Sequence, residues 1–323
     1  MIRDTRGRPL EYLRISMTDR CNLRCRYCMP KEYFDSKYQF LQRDAILSYE
    51  EITTIVDALL SLGLKKVRLT GGEPLIRRNV ETLIQFLQPK VEVCMTTNGI
   101  LLNEKAQDLW QSGLRNITIS LDAVDQATFQ HMSDSKIDVN KILSGIELCL
   151  SMGFRLKLNT VIQKRINEHA VNDIIDLFSG RVDEIRFIEY MDVGETNGWN
   201  LHDVVTGSEI RKKLGDLKKL ENQDQSQVAT KYELDGQIIG FIESVSKPFC
   251  STCNRARLSA DGNLYTCLFA SKGNDLKSLL RMGANQGEIR KAVKTIWSKR
   301  TDAYSEQRGE ESKPKVEMSF IGG

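Results

Sequence analysis

Residues 12–28 read YLRISMTDRCNLRCRYC. In the first part, Leu13 and Ile15 alternate with Arg14 and Ser16. Successive side chains of a strand point to opposite faces, so the stretch predicts a strand with one apolar and one polar face. The second part carries Cys21, Cys25 and Cys28, spaced x3 then x2. Three cysteines do not pair off into disulfides, and they are one short of a closed tetrahedral zinc site.

Further strands of the same kind follow: KVRLT (66–70), VEVCMT (91–96), NITISL (116–121), RLKLNTVI (155–162) and EIRFIE (184–189). Helical patterns lie between most of them. From Tyr49 to Leu62, residues Ile52, Ile55, Val56 and Leu59 share one face, and Ser48 with Glu51 forms a capping box. Gly63, Gly113, Gly153 and Gly180 each stand just before the next strand, where a helix must turn out. Strand–helix alternation predicts parallel strands with right-handed crossovers. Six strands are too few for a closed eight-stranded barrel, which leaves an open sheet or a partial barrel.

The strands help to choose. Buried parallel strands usually read as continuous apolar runs. Here Val67 and Leu69 oppose Arg68 and Thr70, Val93 and Met95 oppose Cys94 and Thr96, and Leu156 and Leu158 oppose Lys157 and Asn159. One face is therefore polar and partly cationic. A curved, incomplete barrel with a ligand-filled lumen explains this better than a sheet with one face open to solvent.

With 323 residues, 41% of them hydrophobic, the chain has material for a sizeable core. A net charge of +3 is too small to imply nucleic-acid binding. No apolar run is long enough for a bilayer, and the opening MIRDTRGRPL lacks an apolar signal core. A cytoplasmic protein with no membrane association is expected, with its thiols reduced. Of the eight cysteines, Cys250, Cys253 and Cys267 form a second group, while Cys94 and Cys149 read as small buried hydrophobes. Past residue 190 the pattern changes. ENQDQSQ (221–227) reads as a linker, and KYELDGQIIGFIESV (231–245) as a hairpin turning at Asp235-Gly236. Two short helical patterns follow, at about 274–282 and 286–298, then a charged stretch EQRGEESKPK (306–315) and MSFIGG.

Thiolate triplets suit zinc or an iron–sulfur cluster. Zinc needs a fourth ligand, and none of the three histidines lies near either group in sequence. CNLRCRYC resembles the CxxxCxxC signature of radical S-adenosylmethionine (SAM) enzymes, and Gly71-Gly72-Glu73-Pro74 follows the next strand as it does in that superfamily. The resemblance extends along the chain. LRISMTDRCNLRCRYCMP, VRLTGGEPL, TTNG, ITISLDA, IRFIEYMDVG, FCSTCNRARLSADG with CLF, and the final GG are similar to the molybdenum cofactor biosynthesis protein A family, the GTP 3′,8-cyclases.

That resemblance implies an α/β fold, an incomplete (β/α)6 TIM-like barrel at 1–228. A C-terminal extension at 229–323 would hold the hairpin, a second cluster and the Gly-Gly tail. It implies a lyase that converts GTP to 3′,8-cyclo-7,8-dihydro-GTP, after a 5′-deoxyadenosyl radical abstracts the 3′-hydrogen. This is the first step of molybdenum cofactor biosynthesis. Two 4Fe–4S clusters and SAM are implied as cofactors. The first cluster would be held by Cys21, Cys25 and Cys28, the second by Cys250, Cys253 and Cys267. Tyr27, Gly72, Ser120 and Met191 would contact SAM, with Glu73 near its amine. Arg14, Arg68, Thr96, Lys157, Arg255 and Arg257 would bind GTP, and Gly322 and Gly323 would reach into the active site. A flavodoxin- or ferredoxin-type electron donor or other reductant, and a cyclic pyranopterin monophosphate synthase downstream, are the implied partners. A homodimer is compatible with the reading.

Two rivals stand beside it. One is another radical SAM enzyme with an auxiliary cluster, such as a peptide modifier. The other is a zinc-stabilised binding protein without chemistry, which would be colourless where an iron–sulfur protein is brown.

Overall fold

The six alternating segments all become strands, β1 Tyr12–Ser16, β2 Lys66–Thr70, β3 Glu92–Thr97, β4 Asn116–Ser120, β5 Arg155–Ile162 and β6 Glu184–Glu189. A computed structural model describes residues 1–221, 227–309 and 314–323. Each of the six strands pairs in parallel with the next, in chain order. The crossovers carry α1 Tyr49–Leu60, α2 Val80–Leu87, α3 Leu102–Gln111, α4 Gln126–Ser133 with α5 Asn140–Ser151, and α6 Ala170–Phe178. The Ser48–Glu51 capping box forms at the start of α1.

Alternation decides which face meets the helices. Leu13, Ile15, Val67, Leu69, Val93, Met95, Leu156 and Leu158 are buried in one core with Ile52, Ile55, Val56 and Leu59 of α1. Burying each such side chain is worth about 1.5–3 kcal/mol. A one-residue slip would send Arg14 and Arg68 into that core, so the pattern fixes the register. Cys149 is buried in the same core, and Cys94 is buried as well.

The rest of the chain extends the sheet at both ends. After α7 Gly207–Leu214 come β7 Lys218–Lys219, β8 Thr230–Leu234 and β9 Gln237–Ile242. The expected hairpin joins β8 and β9, with positive φ at Asp235 and Gly236. Most of the polar ENQDQSQ stretch (222–226) lies outside the described residues, as do 310–313 of EQRGEESKPK. β9 adds in parallel beside β6. On the opposite edge β10 Arg255–Leu258 adds in parallel beside β1, followed by β11 Asn263–Tyr265 and β12 Asn274–Asp275. The strand order runs from β12 to β7 without closing, which is an incomplete barrel with a C-terminal extension on both flanks. α8 Lys277–Arg281, α9 Gln286–Ser298 and the single turn α10 Met318–Ile321 complete the described elements. No helix among the described residues is long and apolar enough to cross a membrane.

Candidate active site

The polar strand faces line one cavity of about 760 Å³, large for a ligand site. Both cysteine triplets open on it, as do Arg14, Arg68, Thr96, Lys157, Arg255 and Arg257. So do Tyr27, Gly72, Glu73, Ser120, Met191 and Gly323. The sequence spreads these residues over the whole chain, and the sheet gathers them.

The Cys21–Cys28 loop leaves the C-terminal end of β1. Gly72 lets the neighbouring loop approach it: a Cβ there would lie 2.0 Å from the carbonyl oxygen of Arg20. The Gly72 and Glu73 amides donate to Thr18 and Arg20 carbonyls, both at 2.8 Å. The Glu73 carboxylate is buried and accepts from Thr97 Oγ1 at 2.8 Å, Leu75 N at 3.0 Å and Asn98 N at 2.8 Å. Burial raises it to about 7 in spite of these donors. Tyr27 donates to Asp122 at 2.7 Å, and burial lifts that carboxyl to about 6.

The cysteines of the first triplet are half-buried in the cavity wall. Burial raises Cys21 to about 11 and pushes Cys25 and Cys28 further up. Bare thiolates are therefore costly here, and a cationic centre would supply what they lack. Among the described residues, Asp125, His169 and Asp173 are the one His/Cys/Asp/Glu trio with ligand atoms all within 4.8 Å of one another.

The second triplet differs in charge. Burial works against the Cys253 thiolate, but Arg255 and Arg300 outweigh it and bring the thiol down to about 6. Both guanidiniums reach its sulfur at 3.4 Å. Cys267 is raised to about 11, first by burial and then by Asp302. Arg8 and Arg300 tie down this loop by donating to the carbonyls of Cys250 and Cys253, both at 2.8 Å.

Strand register aligns the cations. Arg257, Arg14 and Arg68 occupy paired positions on the adjacent strands β10, β1 and β2. Burial, with Tyr12 opposing it and Arg68 and Arg255 adding to it, lowers Arg14 to about 10. Burial and Arg14 depress Arg257 further. The Arg68 guanidinium donates to Thr96 and Thr118, each at 2.9 Å. A second group sits on β5, β6 and β8. Lys157, Arg186 and Lys231 surround the buried Glu184 carboxylate, with nitrogen–oxygen distances of 2.8, 2.7 and 3.8 Å. Three cations against one carboxylate leave a surplus of positive charge, the signature of an anion subsite.

The chain's last residues meet the first of these groups. Arg14 and Arg257 donate to the Gly322 carbonyl, and Arg14 and Thr70 to Gly323. A Cβ on Gly322 would lie 2.7 Å from Thr70 Cγ2, at a φ of +79°.

Sequence reading assigned no role to Thr70, Asp122, Glu184, Lys231, Arg8 or Arg300. Asp122 and Glu184 share the polar parity of their strands, which was a usable signal. Arg8 and Arg300 had none, because distant segments bring them to the cysteine loop.

The parallel barrel and the three-cysteine loop at the end of β1 define a radical SAM enzyme. The Radical SAM superfamily model matches residues 15–178, and the Molybdenum Cofactor Synthesis C model matches residues 183–306. Members of that superfamily bind a 4Fe–4S cluster and SAM. The chain is 44% identical to a GTP 3′,8-cyclase of Staphylococcus epidermidis and 44% identical to that of Staphylococcus haemolyticus, covering 100% of this chain and 99% of each relative. The chain belongs to the GTP 3′,8-cyclase family. The Streptococcus suis SuiB structure bound to precursor peptide SuiA matches with a TM-score of 0.60 at 14% identity, over 94% of this chain and 67% of that one. The likeness to SuiB speaks for the fold alone.

Proposed function

We propose that this chain converts GTP to 3′,8-cyclo-7,8-dihydro-GTP, the first step of molybdenum cofactor biosynthesis. The observation that carries the reading is one cavity shared by two cysteine triplets and two cationic groups. Cys21, Cys25 and Cys28 would hold the SAM-binding cluster, and Cys250, Cys253 and Cys267 would hold a second cluster. When bound, the first cluster would supply the electron for reductive cleavage of SAM.

The protein's own residues do the rest. Tyr27, Gly72, Glu73, Ser120 and Met191 seat SAM at the C-terminal ends of the strands. Arg14, Arg68, Thr96, Lys157, Arg255 and Arg257 seat GTP, with guanidiniums suited to bidentate phosphate contacts. The walls fix the distance between the radical source and C3′ and exclude water and stray hydrogen donors. Gly322 and Gly323 fill the space among Arg14, Thr70 and Arg257 and complete the pocket around the nucleotide. Residues 1–228 form the barrel part, and 229–323 the part that brings the second triplet and the tail. A cytoplasmic one-electron donor and a pyranopterin-forming synthase are the partners that this chemistry calls for.

The test is anaerobic incubation of the reconstituted protein with GTP, SAM and dithionite, followed by mass spectrometry of the nucleotide. The cyclised product and 5′-deoxyadenosine are expected together. SAM cleavage with GTP recovered unchanged would overturn the reading.

A further inference from the structure

We infer that Asp192 and Gly194, in the loop after β6, form a latch that holds Gly322 and Gly323 inside the barrel and makes both loop residues positioning residues for cyclisation. The inference rests on the proposed role of the double glycine.

The loop is well placed for this. Met191 faces the cavity, and its neighbour Asp192 is turned to the chain's last segments. Asp192 is 8% exposed. Its carboxylate accepts from Tyr304, from Arg308 Nε at 2.9 Å and from Lys315 Nζ at 2.9 Å. Lys315 also donates to the Asp192 carbonyl, at 2.8 Å. One buried carboxylate thus gathers three side chains that all belong to residues 304–315. A buried anion deprived of such partners would be costly, so the contacts are cooperative.

Two residues on, Glu317 is seated in the same loop. Its carboxylate accepts from Glu195 N at 2.9 Å and Thr196 Oγ1 at 3.0 Å. The seat exists because residue 194 is glycine. A Cβ there would lie 2.1 Å from Glu317 Oε2, and φ is +67°. From the other side, Val316 N donates to the Ala270 carbonyl at 3.0 Å. The segment is pinned on both flanks immediately before α10. The Phe320 and Ile321 amides return to the Glu317 carbonyl, so the pinned residue caps the turn that ends at Gly322. Only the single turn α10 separates Glu317 from the double glycine. A shift of Glu317 is carried along that turn to the Gly322 and Gly323 carbonyls, which Arg14, Arg257 and Thr70 hold.

The experiment uses the full-length, reconstituted protein and four changes: Gly194→Ala, Glu317→Ala, Asp192→Asn and deletion of Gly322–Gly323. Product yield is measured beside iron content, SAM binding and hydrogen exchange of the peptide containing residues 314–323. The three substitutions are expected to lower product at least tenfold and to raise exchange of that peptide at least tenfold. Iron content and SAM affinity should stay within about twofold. In protein already lacking Gly322 and Gly323, the substitutions should cost no more than about twofold further. If the deletion cyclises GTP at the wild-type rate, the role of the double glycine fails and the latch with it. If the deletion is inactive but Gly194→Ala and Glu317→Ala keep wild-type yield and exchange, the latch alone is refuted. Losses that multiply with the deletion would also refute it, since the residues would then serve only general stability.

Discussion

Glu184→Gln removes one charge and almost no volume from the cation cluster on β5, β6 and β8. The Glu184 side chain is 2% exposed, with Lys157 at 2.8 Å and Arg186 at 2.7 Å. Burial alone would raise this carboxyl. Arg186 and Lys157 outweigh burial and hold it at about 2, against an ordinary 4.5. That gap corresponds to about 3 kcal/mol of folding stability. A carboxyl depressed in the folded protein contributes fully above its unfolded value and loses the contribution as pH falls toward the folded one. The deficit of the Gln variant should therefore be flat from pH 8 to about pH 5 and shrink only below about pH 4.5. In thermal unfolding it should appear as a melting temperature about 4–5 °C lower, followed by circular dichroism under anaerobic conditions at equal scan rates. GTP should protect the variant more than the wild type, because the triphosphate restores the negative charge that the cluster has lost. A variant that melts within about 2 °C of wild type at pH 7 would refute the energetic argument. A variant that gains less from GTP than the wild type would refute the assignment of Lys157 and its neighbours to the nucleotide.

Arg68→Ala and Lys157→Ala should each weaken GTP binding about ten- to a hundredfold, or about 1.5–3 kcal/mol, with SAM binding much less affected. Titration of both ligands checks this, and unchanged GTP affinity in both variants would count against it. Replacing Cys250, Cys253 and Cys267 together by Ala should halve the iron of the reconstituted protein and leave some uncoupled SAM cleavage, whereas stoichiometric zinc in the anaerobic wild type would contradict it. Gly72→Ala should empty the first cysteine triplet of iron while the circular dichroism spectrum stays native. Its Cβ meets backbone at 2.0 Å, so the Cys21 loop must move. Full iron content in that variant would show that the loop can yield.

Much of the barrel was legible because a strand has a period of two. Arg14, Arg68, Thr96 and Lys157 all stand on the polar side of alternating segments, and all face the cavity. The first cysteine triplet was legible because its three cysteines are local. Glycine was readable too, since a position that no Cβ can occupy stays glycine whatever surrounds it. Other features depend on pairings that no local pattern records. The hairpin of β8 and β9 was evident from Asp235-Gly236, but nothing in it says that it docks on β6. Arg257 carries a charge in a motif, yet its place beside Arg14 requires β10 to lie along β1. Arg8 and Arg300 meet Cys250 and Cys253 only because the two ends of the chain come together there. Asp192 meets Tyr304, Arg308 and Lys315 only because the distant C-terminal segments return to the loop after β6.

The docking of β9 and β10 on opposite edges also bears on synthesis. When the ribosome has released residues 1–190, six parallel strands can pair, but β1 and β6 both lie at open edges. Unpaired strand edges invite association with other chains. The strand that covers β6 arrives some fifty residues later, and the one that covers β1 later still, with Arg14 waiting for Arg257. Contacts this distant in sequence form slowly. The growing chain thus passes through a stage with two adhesive flanks, which end-on association or chaperone engagement would exploit. Truncated forms that stop before residue 255 retain the exposed side of β1 permanently and should be recovered as aggregates.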